Sequence, residues 1–78
     1  MDVRFYAGAA EAAGRHLEGI PGPLSLDALL AQLGSDRPAL ARVLTRCSVL
    51  VDGRQVADPS APLPQDARVD VLPPFAGG

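Results

Sequence analysis

The sequence predicts a small α+β domain in which a mixed sheet of four to five strands is covered on one face by helix. Segments with alternating apolar residues lie near both ends of the chain, at residues 2–7 and 67–72. The most regular helical pattern lies between them, at residues 25–34. A chain of 78 residues has room for one such domain and a modest core.

The first third of the chain is expected to hold a strand, a helical turn and an edge strand. Residues 2–7 alternate, and their predicted inward members are Val3, Phe5 and Ala7. Residues 8–14 are rich in alanine and bounded by glycines, which favours one or two turns of helix. Residues 15–20 are predicted to form a short edge strand that ends before Pro-Gly-Pro at 21–23.

The strongest helix signal follows. Ser25 is a favourable N-cap, and Gly34 is placed as a C-terminal stop. Between them the apolar residues recur at helical spacing, at Leu26, Leu29, Leu30 and Leu33. A second helical piece is expected to begin at Asp36 or Arg37, with Pro38 in its first turn where a missing N–H costs nothing.

Two antiparallel strands are predicted after the helices. Residues 47–51 alternate, and Asp52-Gly53 is a strong hairpin signal that leads into residues 54–56. The next segment, residues 57–64, contains three prolines and is expected to be a surface loop.

The last predicted strand occupies residues 67–72. Alternation places two of its residues inward, Val69 and Val71, and two outward, Arg68 and Asp70. If this strand lies parallel beside the first, reached by a crossover through the helix, the arrangement is a β-grasp. The domain is then expected to span residues 1–72, followed by a projecting C-terminal Gly-Gly tail at 73–78.

The tail has features that folding alone does not require. Pro73 and Pro74 fix φ and remove two backbone donors, so pairing of the last strand must stop there. Extended, residues 73–78 would reach about 20 Å at about 3.3 Å per residue, enough to enter a deep site on a partner. We predict that Gly78 carries the reactive carboxylate. The predicted partner-binding residues are Leu72, Pro73, Pro74, Phe75, Ala76 and Gly77, with Phe75 as the anchor.

Composition excludes several function classes. A net charge of −2 and a pI near 5.0 leave no basic stripe for nucleic acid. No apolar run approaches the roughly 20 residues that span a bilayer, and we expect a cytoplasmic protein that does not use a membrane. One cysteine and one histidine provide neither an internal disulfide nor a structural zinc site, so no metal is expected.

Catalysis by the chain alone is not expected. Cys47 and His16 are a candidate nucleophile and base, since such a pair needs only closeness in space. Cys47 falls on the predicted inward side of a strand, where a free cysteine is usually a small core residue, and His16 is expected at the surface. We therefore expect a carrier or binding protein rather than an enzyme.

The C-terminal sequence resembles that of the MoaD/ThiS family of ubiquitin-like sulfur carriers and is most similar to the MoaD branch. The resemblance rests on Val69-Asp70-Val71-Leu72-Pro73-Pro74-Phe75-Ala76-Gly77-Gly78 and on the opening Val3-Arg4-Phe5-Tyr6-Ala7. It implies that the Gly78 carboxylate is adenylated by an E1-like enzyme of the MoeB/ThiF type. That enzyme uses ATP, and the carrier itself binds no cofactor. A sulfur donor protein would then supply the sulfur of a thiocarboxylate.

The same resemblance implies the small subunit of molybdopterin synthase, whose tail inserts into a MoaE-type large subunit in molybdenum cofactor biosynthesis. Relatives with similar tails provide sulfur for thiamine, cysteine or secondary metabolites. Two further interpretations stay open: a ubiquitin-like modifier conjugated through Gly78 to a lysine of another protein, and a non-covalent interaction domain without tail chemistry.

Overall fold

The computed structural model describes residues 1–74, in which five strands form one mixed sheet accompanied by three helices. The elements in chain order are β1 (Asp2–Phe5), α1 (Ala7–Ala13), β2 (Leu17–Gly19), α2 (Leu26–Gly34), α3 (Pro38–Leu44), β3 (Ser48–Val51), β4 (Arg54–Gln55) and β5 (Arg68–Leu72). The strand order across the sheet is β2-β1-β5-β3-β4. The predicted α+β class and β-grasp arrangement are confirmed, with the last strand parallel to the first.

Strand β5 lies at the centre of the sheet. It pairs in parallel with β1, where Val3 is opposite Val69, and antiparallel with β3, where Val51 is opposite Val69. These valines and their neighbours form a buried layer beneath the helices. The largest fully buried side chains are Phe5, Leu29, Leu33, Leu40, Val3, Val69 and Val71. The sheet and α2 and α3 therefore share one core, as the apolar spacing predicts.

Helix α2 begins and ends where the sequence predicts, but its end has a different cause. The Ala28 N–H donates to Ser25 Oγ at 3.1 Å, so the predicted N-cap is confirmed. Gly34 is the last helical residue, and the following Ser35 keeps right-handed helical angles. A Cβ on Gly34 would lie 3.0 Å from the Cβ of Ala41, so this glycine lets α2 and α3 approach closely.

None of the helices is long. α2 has nine residues, and within residues 1–74 no helix is both long enough and apolar enough to cross a membrane.

The first strand is shorter than predicted. It ends at Phe5, and Ala7 is the first residue of α1, exposed and with a φ of 48° rather than on the inward face of a strand. The reason is local: Tyr6 O accepts a hydrogen bond from Ala9 N–H at 3.0 Å, which begins the helix immediately after the strand. At its other end, Gly14 in the left-handed region donates its N–H to Ala10 O and ends the helix.

The C-terminal half follows the sequence signals closely, with one exception. Asp52 and Gly53 both have positive φ, at 51° and 80°, as a two-residue hairpin between β3 and β4 requires. Residues 57–64 form the predicted loop, but Leu63 within it is buried and its N–H donates to Leu24 O at 2.8 Å. The loop therefore closes one end of the core instead of lying wholly on the surface.

A half-buried ion pair joins the edge strand to the helices. Arg37 binds both carboxylate oxygens of Glu18, at 2.9 and 3.0 Å. The same guanidinium donates to the carbonyl oxygen of Leu33 at 3.0 Å and to that of Ala13 at 3.4 Å. Since these carbonyls lie near the ends of α2 and α1, one side chain ties β2 to both helices.

We predict that Arg37→Met destabilises the protein by about 1–2 kcal/mol, because it removes the two hydrogen bonds to a half-buried carboxylate. The matched control is Arg15→Met, since Arg15 is exposed and its Nε lies 3.9 Å from the same Glu18 carboxylate. The control should cost less than about 0.5 kcal/mol. Urea denaturation of both variants measures the difference. Equal losses would show that the bidentate contact adds nothing to stability.

Candidate functional site

The candidate site begins at the tail base, which we define as Leu72, Pro73 and Pro74. Leu72 is the last residue of β5, is half-buried and pairs with Ser48 of β3. Pro73 is half-buried and Pro74 is exposed. Neither proline has an N–H to donate, so the pairing of β5 ends here as the sequence predicts. The other predicted site residues, Phe75, Ala76, Gly77 and Gly78, lie outside the described residues.

The position of the tail base is set from both sides. On one side Tyr6 donates its N–H to Val71 O at 3.2 Å, one residue before the tail base. On the other side β3 pairs with β5 up to Leu72 itself. A segment that leaves from the middle of a sheet in this way has a fixed starting point and direction, unlike one that leaves from a frayed edge.

A second feature lies on the open sheet face, which we define as the surface of the sheet turned away from the core. One row of paired residues on this face crosses four adjacent strands just before the tail base. The row consists of Leu17, Arg4, Asp70 and Leu50. Tyr6 follows β1 beside them. Two large apolar side chains are exposed here, Tyr6 at 36% and Leu17 at 54%. The tail base therefore adjoins a partly apolar surface.

Asp70 is the polar centre of the open sheet face. It was expected to point outward, and it does point away from the helices, but it is only 8% exposed. The Tyr6 hydroxyl donates to its Oδ1 at 3.3 Å, and Arg68 Nε lies 3.7 Å from its Oδ2. These neighbours cover the carboxylate and hold the Tyr6 ring across β5, two residues before Leu72.

Leu17 is the member of this surface that the sequence analysis missed. The segment is predicted to be an edge strand, but the register of its pairing with β1 decides which of its side chains lie on the open sheet face. In the structure Leu17 is opposite Arg4, which puts it on the open sheet face, while Glu18 turns toward the helices. The alternation of Leu17 with a charged neighbour is the signal that could have identified it.

Cys47 and His16, the candidate nucleophile and base, are not brought together. His16 precedes β2 and Cys47 precedes β3, so two strands, β1 and β5, lie between their positions in the sheet, a separation of about 14 Å at about 4.8 Å per strand. Cys47 Sγ donates to Val43 O at 3.1 Å. Partial burial raises the pKa of the Cys47 thiol. Within residues 1–74, no group of three or more His, Cys, Asp or Glu could hold a metal ion.

We predict that Cys47 reacts slowly with iodoacetamide at neutral pH. A raised pKa means that less thiolate is present at pH 7 than for an ordinary thiol, and the rate should keep rising above the pH at which glutathione levels off. Alkylation rates measured by intact mass from pH 6 to 10, with glutathione as the reference, test this. A rate at pH 7 equal to or above that of glutathione would contradict it.

Solved structures with this fold come from archaea and bacteria. The solution structure of the Haloferax volcanii HVO 2177 protein is 27% identical, with a TM-score of 0.77 over 99% of this chain and 84% of that one. A second match is a chain in the solved complex of subunits 1 and 2 of molybdopterin-converting factor from Helicobacter pylori. It is 23% identical, with a TM-score of 0.73 over 99% of this chain and 96% of that one. The crystal structure of small archaeal modifier protein 1 from H. volcanii is 23% identical, with a TM-score of 0.73 over 95% of both chains.

A comparison with curated protein sequences gives no match. The sequence model of the ThiS family, in contrast, matches residues 3–78, which run from the first strand of the sheet through the Gly-Gly end. The match includes both segments on which the sequence resemblance rests. The chain belongs to the ThiS family.

Proposed function

We propose that this protein is a sulfur carrier that bears sulfur as a thiocarboxylate on Gly78. The observation that carries the proposal is the extent of the family match, which covers the domain and the tail together. The pairing of β5 along both edges supports it, because a tail that enters a partner's active site needs a rigid base. The proposal requires Gly78 to be the terminal residue of the mature protein, which intact mass measurement tests.

The proposed chemistry belongs to partner enzymes. A carboxylate is a poor electrophile, so an E1-like enzyme of the MoeB/ThiF type would first join it to the α-phosphate of ATP, with pyrophosphate as the leaving group. A persulfide on a donor protein would then attack the acyl carbon and displace AMP, which gives an acyl disulfide. A second thiol would attack the donor's sulfur, so that the S–S bond breaks, the donor is left in a disulfide with that thiol, and the thiocarboxylate is released. We assign this cycle to the cytoplasm, as expected from the sequence.

The tail sequence suits this use. Glycine at 77 and 78 presents no side chain to a narrow channel. Ordering a residue on docking costs about 1–2 kcal/mol of backbone entropy, and the stiff Pro73 and Pro74 leave fewer residues to order. We assign Phe75 as the apolar anchor in the partner groove, with Leu72, Pro74 and Ala76 as flanking contacts.

The open sheet face is the proposed docking surface for the body of the partner. Tyr6 and Leu17 are exposed. Leu17 belongs to the row of paired residues just before the tail base, and Tyr6 lies beside that row. A partner that covers these side chains would bury apolar area without ordering any backbone, since the sheet is already formed. The tail and this face would then be engaged at the same time.

The specific pathway we propose is molybdenum cofactor biosynthesis, with this chain as the small subunit of molybdopterin synthase and a MoaE-type large subunit as the acceptor. The similarity to one partner of the H. pylori subunit 1 and subunit 2 complex supports this choice. Mixing the thiocarboxylated chain with a MoaE-type subunit and the cyclic pyranopterin precursor tests it. Transfer of sulfur to a thiamine or cysteine precursor instead would assign the carrier to another pathway.

A second candidate is a protein modifier, which the similarity to small archaeal modifier protein 1 favours. In this case an amine of another protein would attack the activated Gly78 carbonyl and form an isopeptide bond. Trypsin cleaves after Arg68, so a modified lysine would carry residues 69–78 as a remnant. Finding this remnant on lysines in cell extracts supports the modifier, whereas a mass increase equal to the exchange of oxygen for sulfur supports the carrier.

We predict that Gly78→Ala leaves the melting temperature unchanged but lowers the thiocarboxylate yield about tenfold or more, because one added methyl in a tight channel costs about 1–3 kcal/mol. Mass spectrometry after incubation with the activating enzyme, ATP and a sulfur donor measures the yield. The control is Gly8→Ala, since a Cβ on Gly8 meets no atom within 4 Å. Normal thiolation of the Gly78 variant would rule out the narrow-channel explanation.

We predict that Phe75→Ala weakens partner binding by about 2 kcal/mol or more, the usual loss for a buried aromatic anchor, while it changes the melting temperature little. Titration calorimetry with the large subunit and a thermal melt of the free chain provide the two measurements. Phe5→Ala gives the opposite control, because Phe5 is a fully buried core residue. A large drop in melting temperature with normal binding would place the Phe75 ring in the core.

A further inference from the structure

The strongly basic residues of this chain are all of one kind. The sequence has seven, and every one is arginine: Arg4, Arg15, Arg37, Arg42, Arg46, Arg54 and Arg68. No lysine occurs among the 78 residues. Lysine and arginine both provide charge, but they differ in reactivity: an ε-amine loses its proton at accessible pH and becomes a nucleophile, whereas a guanidinium stays protonated. The chain therefore has positive charge without side-chain amines.

The α-amine is also unfavourably placed to react. The Met1 amino group donates to Ile20 O at 2.6 Å and to Gln65 O at 3.0 Å, and Met1 is buried. It also lies at the far end of the sheet from the tail. Asp2 pairs with Arg68 at the start of β5, and the tail leaves after Leu72 at the other end, about 15 Å away at about 3.3 Å per residue, so only a tail extended back along the sheet could approach the amine.

The next nucleophile to consider is the thiol of Cys47, which adjoins the tail base. Continuing the antiparallel register beyond Ser48 and Leu72 brings Cys47 opposite Pro73. Its thiol is nonetheless half-buried and donates to Val43 O at 3.1 Å, and burial raises its pKa, so little thiolate is available near the tail. Side-chain amines are thus missing, the α-amine is enclosed, and the thiol is half-buried, so none of the groups that would form a stable amide or thioester with the Gly78 carboxyl is freely available.

From these observations we propose that the chain is a one-way acyl donor, unable to accept the activated Gly78 carboxyl of itself or of another copy. The inference rests on the proposed activation of Gly78 and goes beyond it by defining the acceptor class. Amine acceptors must lie on other, lysine-containing proteins, and each acceptor site then carries a single copy of this chain. As a carrier, it keeps its activated end from being consumed by the carrier pool.

The avoided reaction is aminolysis of the activated Gly78 carboxyl. An unprotonated amine attacks the Gly78 carbonyl carbon, a C–N bond forms, the bond to the leaving group breaks, and the amine proton is released to solvent. The leaving group is AMP for the adenylate or a thiol for a thioester. In a lysine-bearing carrier at high concentration, this step would compete with delivery of the acyl group to sulfur.

The test uses the 78-residue chain prepared through intein cleavage as a Gly78 aryl thioester, so no activating enzyme is needed. Three samples are concentrated at pH 8: the native sequence, Arg54→Lys and Arg46→Lys. Arg54 is exposed in β4 and pairs with Val51 toward the end of the sheet away from the tail, so a lysine there is farther from the tail base than one at position 46 and favours attack between copies. Intact mass separates an amide-linked dimer from a cyclised monomer in every sample. Arg46 is exposed next to Cys47, within tail reach, so a lysine there also reports on cyclisation.

We expect the native thioester to hydrolyse without forming amide-linked dimers. Arg54→Lys should form at least about tenfold more dimer, because an ε-amine is unprotonated more than about a hundredfold more often than a guanidinium. Arg46→Lys should also yield a cyclised monomer. Added Nα-acetyl-lysine amide should be acylated in all three samples, which verifies that each thioester is reactive.

Two results would overturn the proposal. One is native dimer at the level of Arg54→Lys, with mass spectrometry placing the bond at Met1 or a thioester at Cys47. The other is no more dimer from Arg54→Lys than from the native chain while the free lysine amide is acylated, which would show that lysine content does not control self-acylation. Either result leaves the proposed thiolation untouched, because the thioester is made without the activating enzyme.

Discussion

Strand β5 is hydrogen-bonded along both of its edges, in parallel to β1 and antiparallel to β3. The parallel pairing needs a crossover, and α1, β2, α2, α3 and the β3–β4 hairpin all lie in the chain between the two strands that it joins. Buried valines at positions 3, 69 and 71 fix the register, since a slip of one residue would turn them out of the core. The place where the chain leaves the sheet is therefore determined by nearly the whole domain.

The two faces of the sheet serve different purposes. One face packs on α2 and α3 and supplies most of the apolar burial, which a chain of this size needs in full. The open sheet face retains Tyr6 and Leu17 at the surface, and it keeps a buried carboxylate, Asp70, bound to the Tyr6 hydroxyl. That hydrogen bond joins Tyr6, which follows β1, to β5 beside the tail base, so it stiffens the proposed docking surface.

Local signals in the sequence predicted local structure well. Ser25 caps its helix, and Asp52-Gly53 forms its turn, because each acts through its own backbone and needs no distant partner. The tail could likewise be recognised as a motif. The face that Leu17 occupies and the contact of Gly34 with Ala41 were not predicted, because the first depends on the register of β2 against β1 and the second on how α2 packs against α3. Sequence patterns indicate which residues are apolar, but strand register decides which face they occupy.

The proposed activation of Gly78 requires the rest of the chain to be inert, and this requirement connects the composition to the fold. Among residues 1–74 the single thiol is directed at Val43 O and the Met1 amine is enclosed by two carbonyl oxygens. Both groups are satisfied by backbone acceptors, so the interactions that stabilise the domain also suppress its reactivity. The use of arginine instead of lysine has the same double effect. Arg37 makes a bidentate contact to Glu18 that a lysine could not make, and it adds no reactive amine. In this domain, stability and chemical restraint come from the same contacts.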